Sequence, residues 1–203
     1  MKEIIAILPT RGLLYAKTIR SLKENGIHDP IIIDSLPIPD AQNEGVRKAL
    51  SIWSTAILFV EDDMELPDGI VSAMMKMDRA IVACDYPMDN GYSTICRKKD
   101  EILWCGLGCT LIKQGVFRNM KEPWFDTSYS WKIESENPLK LEKIDNAYKY
   151  GGLDINLCIK AREHGYTIEQ LPGYEAKHLR CSALEKAQGN SGAWGIHALP
   201  PVS

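Results

Sequence analysis

Short apolar runs separated by helical periodicities organise the first third of the chain. Ile4 to Leu8 is an isoleucine-rich run closed by Pro9, the pattern of a strand buried on both faces of a parallel sheet. Tyr15, Ile19 and Leu22 then fall on one face of a helix, and Gly26 supplies a residue to end it. Ile31 to Ile33 predicts a second strand that delivers Asp34 at its end. Beyond a proline-interrupted loop, Val46, Ala49, Leu50 and Trp53 recur at helical spacing and lead into a third apolar run, Ala56 to Val60. The order β-α-β-α-β requires crossover connections, which make a parallel sheet covered by helices with ligands beyond the carboxyl ends of its strands. Those ends carry Thr10-Arg11, Asp34 and Glu61-Asp62-Asp63, so three strand ends present polar groups toward one crevice.

The second half is less regular. The pattern predicts a helix from about Asp68 to Met77, a strand at Ile81 to Ala83, and short strands around Thr94 to Arg97, Leu103 to Cys105 and Thr110 to Ile112. Residues 119–150 hold Trp124, Phe125, Trp131 and many charges without a period, and are read as a long functional loop or lid. Asp154 opens a helix in which Ile155, Cys158, Ile159 and Arg162 mark successive turns and Gly165 the end, followed by a strand from Tyr166 to Leu171. A chain of 203 residues that is 45% hydrophobic supports one well-buried domain. The expectation is a single domain over 1–203, with a nucleotide-binding half (1–63), an acceptor-side half (64–180) and a C-terminal tail (181–203).

Charge narrows the partners. A net charge of −3 gives no global attraction to phosphate backbones or anionic membranes. A nucleic-acid acceptor would need a local patch, for which Arg97, Lys98, Lys99, Lys113, Arg118 and Lys121 are the candidates. No apolar stretch reaches the length of a signal-peptide core or a membrane span, so a soluble, cytoplasmic protein without a membrane anchor is expected. The six cysteines lack the density of a secreted disulfide scaffold and are read as reduced thiols. Cys105 and Cys109 bracket a glycine loop with no second close pair, which favours two buried thiols over a zinc site.

The chemistry concentrates where the third strand ends. Three carboxylates in succession, Glu61-Asp62-Asp63, repel one another unless a cation joins them. This triplet resembles the Asp-x-Asp motif of GT-A glycosyltransferases, especially the inverting family 2 and its short phage-like and bacterial relatives. The resemblance implies that Asp63 is the principal ligand of Mn²⁺ or Mg²⁺ bridging a donor diphosphate, with Asp62 a ribose or metal contact. Glu61 stands where the family more often has Asp, and counts here among the metal ligands.

Neighbouring segments carry the same resemblance. Ile7-Leu8-Pro9-Thr10-Arg11-Gly12 is similar to the family's first strand and nucleotide-binding turn, and Asp34 stands where its members set an Asp against the nucleobase. Asn43 and Arg47 belong to a segment like the one that precedes the family's metal strand, and are expected at the donor. Trp104-Cys-Gly-Leu-Gly-Cys109 resembles the glycine-bearing strand closing the sugar pocket, where glycine permits close approach of backbone to ligand. Pro123-Trp124-Phe125 resembles an acceptor-side element, though buried packing is the better account of Phe125.

Gly151-Gly-Leu-Asp154 is similar to the family's Glu-Asp motif, with Leu153 in place of the Glu, and implies that Asp154 is the base that takes the acceptor proton. His178 occupies the place of a late histidine that completes the metal shell. The expectation is therefore an α/β, Rossmann-like GT-A fold with a mostly parallel sheet. Its expected activity is metal-dependent transfer of a sugar from a nucleotide-sugar donor, a UDP-sugar, to an acceptor hydroxyl with inversion. The acceptor stays open among small molecules, glycans, proteins and a hydroxymethylated DNA base. A sugar nucleotidyltransferase and a non-catalytic nucleotide-sugar-binding module are the alternatives.

Overall fold

A strand buried at every position, as Ala56–Val60 is, needs a sheet covered on both faces. In the computed structural model it lies inside a six-stranded sheet. The structure describes residues 3–10, 12–88, 93–127, 129–134, 137–145 and 152–179, and over 129–145 the backbone pairing alone. Arg11, the side chain of Trp131, Cys181 and the tail 181–203 lie outside the described residues.

The first half follows the βαβ order: β1 (Ile4–Pro9), α1 (Ala16–Glu24), β2 (Ile31–Ile33), α2 (Asp40–Ser51) and β3 (Ala56–Val60). Next come β4 (Met64–Glu65), α3 (Ile70–Lys76), β5 (Ile81–Asp85), β6 (Ile95–Lys98), β7 (Glu101–Cys105), β8 (Cys109–Lys113) and α4 (Gln114–Asn119). The remainder is β9 (Tyr129–Glu134), β10 (Asn137–Asp145), α5 (Leu153–Glu163), β11 (Ile168–Glu175) and β12 (Lys177–His178). The sheet order is β11-β5-β8-β3-β1-β2, with β8 antiparallel to both its neighbours and the other pairings parallel. This is a mixed α/β, Rossmann-like fold with a mostly parallel sheet.

Alternation along the strands feeds two cores, because successive side chains leave a strand on opposite faces. Ile5, Ile7, Ile57 and Phe59 meet Val46 of α2, Phe117 of α4 and Leu157 of α5 on one face. Ala6, Leu8, Leu58 and Val60 meet Leu22 of α1 and Met74 of α3 on the other. Helix α2 sits so close to β1 that a Cβ on Gly45 would lie 2.5 Å from Ile7 Cγ2.

Four elements depart from the sequence reading. Helix α2 ends at Ser51, so Trp53 does not continue its buried face and is 76% exposed. The last long strand does not stop before Pro172 but runs to Glu175. Proline is accommodated because β11 is an edge strand and its register with β5 shifts between Gln170 and Glu175. The segment 119–150 is not wholly a loop, since β9 and β10 pair antiparallel within it and Trp124 and Phe125 are core residues. It shows no period because single tertiary contacts pin it: the Trp124 and Phe125 N–H groups donate to Asn43 Oδ1 at 3.0 and 3.1 Å, and Trp124 Nε1 donates to the Phe117 carbonyl at 2.9 Å. Phe125 packs against Phe59 and Phe117, as buried packing requires. The pairing of β12 with β4 has no sequence signal at all, each strand being two residues long.

Candidate active site

The loop after β3 is held through its backbone. The Tyr15 N–H and the Thr18 hydroxyl both donate to the Asp62 carbonyl, at 3.0 and 2.9 Å, and the Leu179 N–H donates to the Asp63 carbonyl at 2.8 Å. With its peptide groups engaged, the loop turns its carboxylates into a cleft of about 570 Å³. The floor and walls include Pro9, Thr10, Glu61, Asp62, Asp63, Asp154 and His178. The Thr10 hydroxyl donates to Asp62 Oδ2 at 2.8 Å, tying the end of β1 to the acidic loop.

His178 arrives by the smallest sheet in the molecule. Its pairing with Met64 across β12 and β4 sets it beside Asp63, where Nε2 lies 3.1 Å from Asp63 Oδ2. Glu61, Asp63 and His178 each turn one ligand atom to a common point, all within 4.8 Å of one another. Two carboxylate oxygens and an imidazole nitrogen form a donor set suited to a hard or borderline divalent ion, so these residues can hold a metal. They are the only such group of three among the described residues.

The electrostatics of the cleft are dominated by like charge. Glu61 opens into the crevice, but loss of hydration there, followed by repulsion from Asp63, Asp154 and Asp62, pushes its carboxyl up to about 7 against the pull of His178. Asp154 lies in the first turn of α5, after Gly152 in a left-handed conformation. Burial raises its pKa, while the Ile155 N–H, donating to Oδ1 at 2.9 Å, opposes the rise. No lysine or arginine lines the cleft among the described residues. A diphosphate entering it would meet carboxylates uncompensated unless a cation came with it.

Not every residue expected at the donor is brought here. Asn43 is buried and occupied, its Nδ2 donating to the Phe125 carbonyl at 3.0 Å while its Oδ1 accepts from Trp124 and Phe125. Arg47 is exposed and paired with Glu44 and Glu122. Neither is among the residues that line the cleft, although Gln42 beside Asn43 is. Asp34 is exposed at the end of β2, outside the cleft lining.

The glycine turn between β7 and β8, whose Leu107 lines the cleft, packs against a side chain from β5's end. A Cβ on Gly108 would lie 2.6 Å from Tyr86 Oη, and one on Gly106 would also clash with that hydroxyl. The close approach that demands glycine is to buried Tyr86, whose oxygen accepts the Gly108 N–H at 2.9 Å. Tyr86 in turn stands edge-on to His178, with ring centroids 6.1 Å apart. Sequence reasoning missed this tyrosine; its only signal was a bulky aromatic just after β5, which many cores share.

Of the six basic residues expected as a patch, three are engaged separately: Arg97 donates to Gln170, Lys113 pairs with Asp78, and Arg118 donates to the Leu50 carbonyl. Cys84, Cys96, Cys105, Cys109 and Cys158 are free thiols. No described helix is long and apolar enough to cross a membrane.

No family model and no curated protein matches the sequence. Solved structures do. A197 from STIV aligns with a TM-score of 0.62 at 17% identity, over 88% of this chain and 85% of that one. An inositol-1-phosphate CTP transferase from T. maritima aligns with a TM-score of 0.43 at 8% identity, over 94% and 79%. At such identities the similarity to A197 establishes a shared fold, and a chain of the Rossmann-like α/β class with an acidic, metal-capable cleft at its strand ends is what sequence and structure together define.

Proposed function

We propose that the protein is a metal-dependent glycosyltransferase that takes a sugar from a nucleotide sugar, a UDP-sugar, and delivers it to an acceptor hydroxyl. One observation carries this reading: Glu61, Asp63 and His178 converge on a common point in the same cleft that Asp154 enters from α5. Glu61, Asp63 and His178 would hold Mn²⁺ or Mg²⁺, which when bound supplies positive charge against the negative charge developing on the departing nucleoside diphosphate.

The chain's own groups do the rest. Thr10 fixes Asp62, and the Tyr15 and Thr18 donors fix the loop backbone, so the ligand atoms are positioned before donor arrives. Asp154 takes the proton of the acceptor hydroxyl as its oxygen bonds to the anomeric carbon and the bond from that carbon to phosphate breaks. Direct attack of this kind inverts the anomeric centre. The raised pKa of Asp154 suits a base that must hold the proton through the transition state. Phe59, Leu107 and Leu153 make apolar walls beside these groups.

The test is calorimetry with UDP-glucose, UDP-galactose and UDP-N-acetylglucosamine, in Mn²⁺ and in EDTA, together with mass spectrometry of acceptor mixtures. Binding only with metal, and mass gain of an acceptor by one hexose or N-acetylhexosamine, is expected. Equal affinity in EDTA removes the metal bridge. Pyrophosphate release from a nucleoside triphosphate and a sugar phosphate would instead identify a nucleotidyltransferase.

A further inference from the structure

The cleft has a second end that the metal chemistry does not use. Because β1 separates β2 from β3, the segment after β2 stands two strand spacings, about 10 Å, from the acidic loop. Leu36, Pro37, Ile38 and Ala41 line it, an apolar slot with one polar side chain, Gln42. Gln42 is 7% exposed, and its Oε1 is buried with no hydrogen-bond partner among the described residues. A buried carbonyl oxygen without a donor is rare in folded proteins, because losing water without gaining a partner is costly. Its polar neighbours are already committed: the Thr10 hydroxyl donates to Asp62, and the Asn43 amide is spent on Trp124 and Phe125.

The slot suits a flat, mostly apolar group and not a sugar or a phosphate, whose many oxygens would find one partner there. Its distance from the acidic loop matches the span of a nucleoside whose diphosphate lies at Glu61 and Asp63. The buried oxygen needs a donor, and the amide nitrogen beside it an acceptor. The terminal torsion of glutamine is soft, so a small rotation presents both atoms to the cleft. We propose that Gln42 reads the nucleobase, its carboxamide pairing with the adjacent donor and acceptor on the edge of the base, which in uracil are the N3–H and a ring C=O. This inference rests on the nucleotide-sugar reading above.

The experiment is calorimetry in Mn²⁺ with UDP, dTDP, GDP, CDP, ADP and N3-methyl-UDP, on the native chain and on Gln42→Met, which keeps the length and removes both polar atoms. The native protein should bind UDP about tenfold to a hundredfold more tightly than N3-methyl-UDP, in which the ring N–H is gone. Gln42→Met should bind UDP and N3-methyl-UDP alike while melting no lower than the native chain. The methylated ligand tests the idea on the native protein even if the variant does not fold. Equal affinity of the native protein for UDP and N3-methyl-UDP overturns the role of Gln42 and leaves the nucleotide-sugar reading standing. Binding of none of the six nucleotides overturns both.

Discussion

The acidic loop after β3 and the glycine turn before β8 lie at the same ends of two paired strands, yet they use the cleft in opposite ways. In the acidic loop the backbone is consumed by neighbours, Asp62 by Tyr15 and Thr18 and Asp63 by Leu179, so the side chains are left to face the crevice. In the glycine turn the missing side chains make room for Tyr86, whose hydroxyl accepts the Gly108 N–H. The two are joined, since the Glu61 N–H donates to the Gly108 carbonyl at 3.4 Å. The lesson is that a residue type announces a special demand of the backbone or of charge, while the neighbour that answers the demand is fixed only by packing. One region turns carboxylates to the cleft; the other packs beside it.

Breaking the acidic loop should have the largest effect. Asp63→Ala removes a ligand and leaves His178 without its carboxylate partner, so Mn²⁺ affinity should fall by more than the roughly hundredfold typical of changes around, rather than at, a metal. Metal-dependent UDP-sugar binding should fall with it. Calorimetry on a folded variant, checked by circular dichroism, measures both, and unchanged affinity would falsify the assignment of Asp63.

Asp154→Asn should separate chemistry from binding. Transfer should drop by about a hundredfold to ten-thousandfold, the range for a lost general base, with donor affinity close to native. The substitution keeps the size of the side chain and its acceptor for the Ile155 N–H. Near-native turnover on the same preparation would take Asp154 out of the mechanism.

The glycine turn gives the next largest effect, on stability. Gly108→Ala forces a methyl against the Tyr86 ring and should cost about 1–3 kcal/mol, the range for overpacking a core. Gly115, inside α4 with open space around it, is the control: Gly115→Ala should stabilise by up to about 1 kcal/mol, as a glycine replaced in a helix does. Urea midpoints of the two variants should move in opposite directions. A Gly108→Ala protein as stable as the native chain would mean that Tyr86 yields easily.

The smallest effect is one of pH. Metal must displace the proton from Glu61, whose carboxyl titrates near 7, so affinity should rise with pH through that value and level off above it. At pH 6 about a tenth of Glu61 is ionised, which should weaken Mn²⁺ binding about tenfold relative to pH 8. Binding should also release a proton at pH 6, read from the dependence of calorimetric heat on the ionisation enthalpy of the buffer. Affinity that is flat from pH 6 to 8 would mean that Glu61 does not gain its charge over this range.

The sequence by itself determined the β1-to-β3 half of the molecule and the acids at its strand ends. Its apolar runs are continuous and its helices periodic, because each of those elements buries a whole face against the sheet, and burial of a face is a local pattern. Asp154 at the start of α5 was legible for the same reason. Only the tertiary structure decided which neighbours the special residues meet. Two-residue strands are too short to leave a period, yet β12 against β4 is what sets His178 beside Asp63. Asn43 and Gln42 are adjacent amides in one helix, and no local pattern could say that the first would clamp Trp124 and Phe125 while the second would stand at the cleft with a buried oxygen that no described residue pairs. Periodicity records which face of an element is buried; the identity of the partner across that face is a long-range contact, and it exists only once the chain has folded.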